Sequence, residues 1–177
     1  MLHLQEITST ATPEFLWAWQ LYEEAFPAEE RRSLNQQEAL LATDDYQFLA
    51  VHTEIGLAGL VGIWHLEEFT FLEHVAVSPS QRGAGIGQNL LALLKIQFPG
   101  KWVLEVEPPL NVLSQRRIAF YQRAGFVLND FPYQQPPYSP EKSWVPLQLM
   151  SFPGALTSNE CQQVVTALYH EVYQVAP

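Results

Sequence analysis

The sequence predicts an α/β fold in which helices pack on one mixed sheet within a single domain, residues 1–177. Three observations carry this expectation. Hydrophobic residues make up 47% of the chain and charged residues only 16%, a balance that favours a folded core over a disordered chain. Stretches rich in β-branched and aromatic residues alternate with stretches of helical apolar spacing. One junction, "FLEHVAVSPSQRGAGIGQNLLALL", reads as strand, tight glycine loop and helix.

The elements follow in order. "TPEFLWAWQLYEEAF" begins with Thr12 as N-cap and Pro13 at the first helical position, and Pro27 interrupts it. "AEERRSLNQQEALLAT" predicts a second helix. "YQFLAVHT" and "LAGLVGIWHL" predict two strands joined by the short "EIG" turn, and "TFLEHVAV" a third, central strand. After the glycine loop a helix runs from about Gly85 to Phe98. "KWVLEVEPP" is a strand stopped by Pro108 and Pro109, and "SQRRIAFYQRAG" a short helix with Gly125 just past its end. "FVLND" restarts a strand, "FPYQQPPYSP" is an ordered loop, and "KSWVPLQLMSF" is a last strand with an edge-type proline. "TSNECQQVVTALYHEVYQV" closes the chain as a helix capped by Thr157 or Ser158, so a terminal strand and helix occupy residues 143–175.

Charge and motifs exclude several functions. A formal net charge of −10 disfavours broad nucleic-acid binding and favours a cationic partner. Of nine Lys and Arg residues, Arg82, Arg116, Arg117 and Arg123 fall in the glycine loop and one later segment, a local bias that fits an anionic ligand or simply solvated helix faces. No apolar run reaches the ~18 residues a membrane span requires, and "MLHLQEITSTATPEF" lacks the pattern of a secretory leader. With Cys161 as the one cysteine, the expectation is a cytoplasmic protein. The five histidines lack metal-ligand spacing, so no metal is expected. A dinucleotide fingerprint begun at Gly83 fails at Gln88, and neither a Walker loop nor a G-x-S-x-G elbow occurs.

Three glycines, Gly83, Gly85 and Gly87, stand directly before a helix. Helix N-termini carry unsatisfied N–H groups and the positive end of the dipole, and glycine lets a phosphate approach the backbone with no Cβ in the way. Arg82 adds a charge at the rim. The alternative is a tight turn needed for close helix packing.

The spacing is more specific. "AVSPSQRGAGIGQNLL" resembles motif A of the GNAT superfamily of N-acetyltransferases, R/Q-x-x-G-x-G/A, filled by Arg82, Gly85 and Gly87. "RRIAFYQRAGFVL" resembles motif B of that family, with Tyr121 followed four residues later by Gly125 and Phe126. The resemblance covers about residues 45–130. It implies a GNAT-like twisted, mixed and mostly antiparallel sheet flanked by helices, with acetyl-CoA as cosubstrate in a splay between two central strands. The backbone of Val75, Ala76 and Val77 would pair with the pantetheine arm. Arg82, Gly83, Ala84, Gly85, Ile86, Gly87 and Gln88 would hold the diphosphate.

Transfer to an amine needs a neutral nucleophile, oxyanion stabilisation and a proton for the departing thiolate. Tyr121 is the motif-matched proton donor, against a purely packing tyrosine. Glu105 and Glu73 are the candidate bases, against solvated or ion-paired strand residues, and His74 is read as structural. Many relatives carry an Asn seven residues before the motif B tyrosine; here that position is Ser114, with Asn111 nearby. Ser114 and Arg117 are carried as coenzyme contacts, although Arg116 and Arg117 would equally meet an acidic acceptor group. For the acceptor, Glu23, Glu24, Glu29 and Glu30 would attract a cationic amine and Tyr133, Tyr138 or Trp144 would wall a pocket, against a solvated acidic helix face. Trp and Tyr residues outside the motifs could support a homodimer. The alternatives to an N-acetyltransferase are an acyl-CoA-binding regulatory protein on the same fold, without transfer activity, and a nucleotide-binding module. The missing Lys after the glycines counts against the latter.

Overall fold

The computed structural model describes residues 1–176. It contains eight strands, mostly antiparallel, and five α-helices, the mixed arrangement the sequence predicts. Two compact units are present: Met1–His65 with Leu72–Pro99, and Leu66–Phe71 with the chain from Gly100 onward.

In the first unit, β1 (His3–Glu6) pairs antiparallel with β2 (Tyr46–Thr53), which pairs antiparallel with β3 (Gly56–His65), and β4 (Thr70–Val77) lies next to β3. The middle strands are apolar along their length because both faces are covered: Ala50, Val51, Leu60, Val61 and Ile63 are fully buried. Helix α1 (Pro13–Ala25) starts where expected, with Thr12 Oγ1 accepting the Phe15 N–H at 3.2 Å, and it buries Phe15, Ala18, Leu21 and Tyr22 at helical spacing. Helix α3 (Ile86–Gln97) seats Leu90, Leu91 and Leu94 in the core. Strands β3 and β4 approach closely at Gly59, where a Cβ would lie 2.5 Å from the Ala76 carbonyl oxygen of β4.

The second predicted helix is shorter than the sequence spacing indicates. Ala28–Glu30 make one tight turn, Arg31 is extended, and α2 (Leu34–Leu40) begins only after Ser33. Ser33 closes a capping box with Gln36, and this stronger start signal overrides the helical propensity of the preceding residues. Strand β1 lies outside the elements the sequence predicts.

In the second unit, β5 (Trp102–Val106) and the short β6 (Val127–Leu128) both pair antiparallel with β8 (Val145–Phe152), as does β7 (Tyr133–Gln135). β7 lies in the proline-rich stretch expected to be a loop, and pairing through Tyr133↔Leu147 makes it a strand. Because β8 pairs on both sides, it is not an edge strand; Pro146 lies outside the β5 ladder, which ends at Val106↔Gln148. Helix α4 (Val112–Arg123) starts two residues before the predicted segment, capped by Asn111, and Gly125 follows it at φ +92°. Helix α5 (Ser158–Ala167) is capped by Thr157, with Glu160 completing the box. Asn129, buried, ties the unit together: its side-chain amide donates to the Leu149 carbonyl at 3.2 Å and the Ser151 hydroxyl at 2.9 Å, and its oxygen accepts the Leu156 N–H at 2.8 Å.

Candidate functional site

The glycine loop is built from the end of β4. Gln81 fixes its base, donating to the Leu57 carbonyl at 2.8 Å and accepting from the Thr53 hydroxyl at 3.1 Å. Arg82 folds back, its Nε donating to the Val77 carbonyl at 3.1 Å, which holds an exposed guanidinium beside the strand end. Gly83 and Gly85 adopt φ +85° and +73°, in the left-handed region that favours glycine. A Cβ on either would meet nothing within 4 Å. These glycines therefore open space rather than make close packing possible, in contrast with Gly59. Gly85 is also the N-cap of α3 and supplies no side chain to the first-turn amides. Arg82–Gly85 are exposed and Ile86–Gln88 half-buried, so the loop and the start of α3 face solvent. Just upstream, Val75 and Val77 are half-buried while Ala76 turns inward.

Glu73, four residues before the end of β4, has a different environment. Its side chain is 1% exposed and its Oε2 accepts from Arg32 Nη1 at 2.6 Å and from Trp64 Nε1 at 3.1 Å. His74 Nδ1 lies 3.6 Å from the same oxygen. Burial alone would raise this carboxyl; the Arg32 guanidinium and His74 overcome it and hold it well below the usual carboxylate range. The His74 ring sits edge-on to Tyr22 and Phe26, and its Nε2, which carries the proton because a carbonyl only accepts, donates to Glu30 O at 2.9 Å. Burial pushes the Tyr22 and Tyr46 phenols upward, so both stay protonated around this cluster.

In the second unit, Tyr121 is buried against Phe120 and Phe126, with ring centroids 5.1 and 6.0 Å away. Burial pushes its hydroxyl up to about 12, partly offset by Arg117, so it is a protonated donor at neutral pH. Glu105 Oε1 accepts from two phenols, Tyr133 at 2.8 Å and Tyr173 at 2.6 Å. Tyr138 packs on Tyr173 and Trp144 on Tyr169, at 5.3 and 5.7 Å. An open groove in this unit is lined by Pro108, Pro109, Asp130, Tyr133, Gln148 and Tyr169, among others. Ser114 is buried and its hydroxyl bonds Asn111, whose side-chain oxygen accepts the Ser114 N–H at 2.9 Å; both serve the start of α4. Arg116 and Arg117 are exposed on that helix.

Thus in the first unit Val75–Val77 lead into the loop residues 82–88 while the Glu73 side chain is turned into the Arg32–Trp64–His74 cluster, and the second unit brings Tyr133 and Tyr138 around Glu105 through Tyr173. Sequence reading missed Arg32, Trp64 and Tyr173. The Ser33–Gln36 capping pattern was the available signal that Arg32 lies outside a helix.

A family model described as an acetyltransferase (GNAT) domain matches residues 38–128. YjbC of Bacillus subtilis, whose name proposes an acetyltransferase, is 35% identical over 107 residues, 58% of this chain and 53% of its own length. The chain thus spans about half of that relative, and the matched part of a Mycobacterium leprae protein, ML0378, is 20% of its length at 33% identity. A GNAT-family structure from Bacteroides thetaiotaomicron, likewise named as a proposed acetyltransferase, superposes with TM-score 0.92 at 30% identity, covering 98% of this chain and 99% of its own. A mutant of the spermidine N-acetyltransferase SpeG from Vibrio cholerae shares the fold at TM-score 0.62 and 15% identity, over 85% of this chain and 92% of its own.

Proposed function

The chain belongs to the GNAT acetyltransferases, and from that premise we propose that it transfers an acetyl group from acetyl-CoA to a primary amine of a small molecule or peptide. The observation that carries this reading is the exposed loop at the start of α3, where two left-handed glycines leave open space over the backbone. Residues 82–88 and the exposed Arg82 guanidinium fit a diphosphate, and the extended end of β4 at Val75–Val77 fits an extended amide-bearing arm. Bound there, acetyl-CoA supplies an activated thioester.

The protein's own groups then handle protons. Tyr121 is the proton donor to the departing sulfur: its raised pKa keeps the phenol protonated, and removing its OH costs the acid without changing the ring. Glu105 is one candidate to take the proton from the incoming ammonium, directly or through water, with its Oε1 accepting from Tyr133 and Tyr173. Glu73 is the other; Arg32 and Trp64 hold its Oε2 and its carboxyl is stabilised as the anion, which opposes its acting as a base. The exposed Glu23, Glu24 and Glu29 favour a cationic acceptor, and the SpeG neighbour's polyamine makes spermidine the natural first amine to try. A screen of polyamines, aminoglycosides, amino acids and peptides with detection of released thiol tests the reading. Amine-dependent thiol release is expected; acetyl-CoA binding with no turnover of any amine would instead favour a coenzyme-binding protein without transfer activity.

A further inference from the structure

We propose that the buried Arg32–Glu73 pair is a positioning device for the acceptor amine, pinning the acidic segment that follows α1 onto the strand that leads into the glycine loop. This rests on the transferase reading above. The pair is 2.6 Å apart with side chains only 6% and 1% exposed. Such a pair adds little stability over apolar residues of the same volume, because desolvation offsets the attraction; what it can supply is a specified geometry.

Here the geometry is that of residues 27–33. This stretch contains one three-residue turn and is otherwise extended, and its links converge on one cluster. The Arg32 N–H donates to the Tyr22 hydroxyl at 2.7 Å, Glu30 O accepts from His74 Nε2 at 2.9 Å, and Arg32 Nη1 reaches Glu73. The guanidinium also lies over the Trp64 ring, 5.8 Å from its centroid, and Trp64 Nε1 binds the same Glu73 oxygen. A planar, forked cation is needed to stack on Trp64 and bond Glu73 together, so lysine would not substitute. Arg31 ties the segment back to α1 through Glu23 O at 2.9 Å. The segment therefore holds the exposed Glu29, with Glu23 and Glu24 at the end of α1, at a fixed place relative to β4. Two residues beyond Glu73, β4 presents Val75–Val77 and then the loop. A cation drawn to those carboxylates is thus registered against the strand by Arg32 and Glu73, neither of which needs to touch it.

Three variants of the full chain test this: Arg32→Met, Glu73→Gln, and Arg32→Met combined with Glu73→Leu. Each is read by amide hydrogen exchange over residues 28–33, by calorimetric affinity for acetyl-CoA, and by kcat and KM for the best amine of the screen, beginning with spermidine. In Arg32→Met, exchange over 28–33 should rise about tenfold or more while acetyl-CoA affinity stays within about twofold. The KM for the amine should rise about tenfold with kcat within about threefold. The double variant should regain melting temperature but keep the raised KM, which a merely structural pair would not do. Unchanged exchange over 28–33, or a collapse of kcat at constant KM in Glu73→Gln, would overturn the proposal; the second result would make Glu73 the base. A wild-type chain that acetylates no amine overturns the transferase reading and with it the acceptor role, while the exchange measurement still reads the clamp by itself.

Discussion

Replacing Gly85 with alanine separates the two roles a glycine can play at a strand–helix junction. At φ +73° an alanine is strained in the left-handed region, which costs roughly 1–2 kcal/mol. The new Cβ meets no atom within 4 Å, so no packing term adds to that. For a chain of this size the melting temperature should fall by about 2–8 °C, and the fold should survive. Affinity should fall further than stability. The methyl group projects into the space through which an anion would reach the first-turn amides of α3, and each hydrogen bond lost to a charged group is worth about 1.5–3 kcal/mol. That is roughly a ten- to hundredfold weaker acetyl-CoA complex. Gly59→Ala supplies the contrast, since its Cβ would sit 2.5 Å from the Ala76 carbonyl oxygen. Overpacking there should cost about 1–3 kcal/mol of stability, a packing loss that Gly85→Ala does not incur. Calorimetric titration with acetyl-CoA alongside thermal unfolding reads both quantities. A folded Gly85→Ala chain that binds acetyl-CoA within about twofold of wild type would refute the reasoning, and the loop would not be the phosphate cradle.

Other consequences can be checked alongside. Tyr121→Phe should lower kcat by about a hundredfold or more with unchanged acetyl-CoA affinity, and because the wild-type phenol titrates only near 12, no alkaline rate loss between pH 7 and 10 should trace to it. Glu73, held as the anion by Arg32, contributes stability that is fully present above the ordinary carboxylate range and is lost as pH falls below it. Glu73→Gln should therefore be destabilised by about 3–5 kcal/mol at pH 7 and converge on wild type in acid, measured by urea unfolding across pH. Asn129→Ala takes the acceptor from the Leu156 N–H and the donor from the buried Ser151 hydroxyl, while the Leu149 carbonyl keeps the backbone N–H of residue 129, and it should cost about 1–3 kcal/mol in the same assay, with little change in acetyl-CoA affinity.

What could be read in advance was what local chemistry decides. Thr12 and Pro13 announce α1 because cap and fixed φ act within one turn, and Gly125 announces the end of α4 for the same reason. The glycine loop was legible because its spacing is short-range and its backbone requirement is specific. The clusters around it were not, because they are made by tertiary contact. Arg32 and Glu73 are 41 positions apart and Tyr173 and Glu105 are 68, and neither pairing leaves a local pattern. β7 has the composition of a loop and becomes a strand only because β8 offers a partner. The second helix starts later than its composition suggests. "AEERR" has good helix formers, yet the Ser33–Gln36 box fixes the helix start at Leu34 and leaves Arg32 free to turn toward Glu73.

Titrating the purified wild-type chain with acetyl-CoA in a calorimeter, with ATP and NADH as controls, tests the central claim most directly. Saturable, micromolar and acetyl-CoA-selective binding that Gly85→Ala weakens is the predicted result. No binding by a chain shown to be folded, or equal binding of all three ligands, would contradict it.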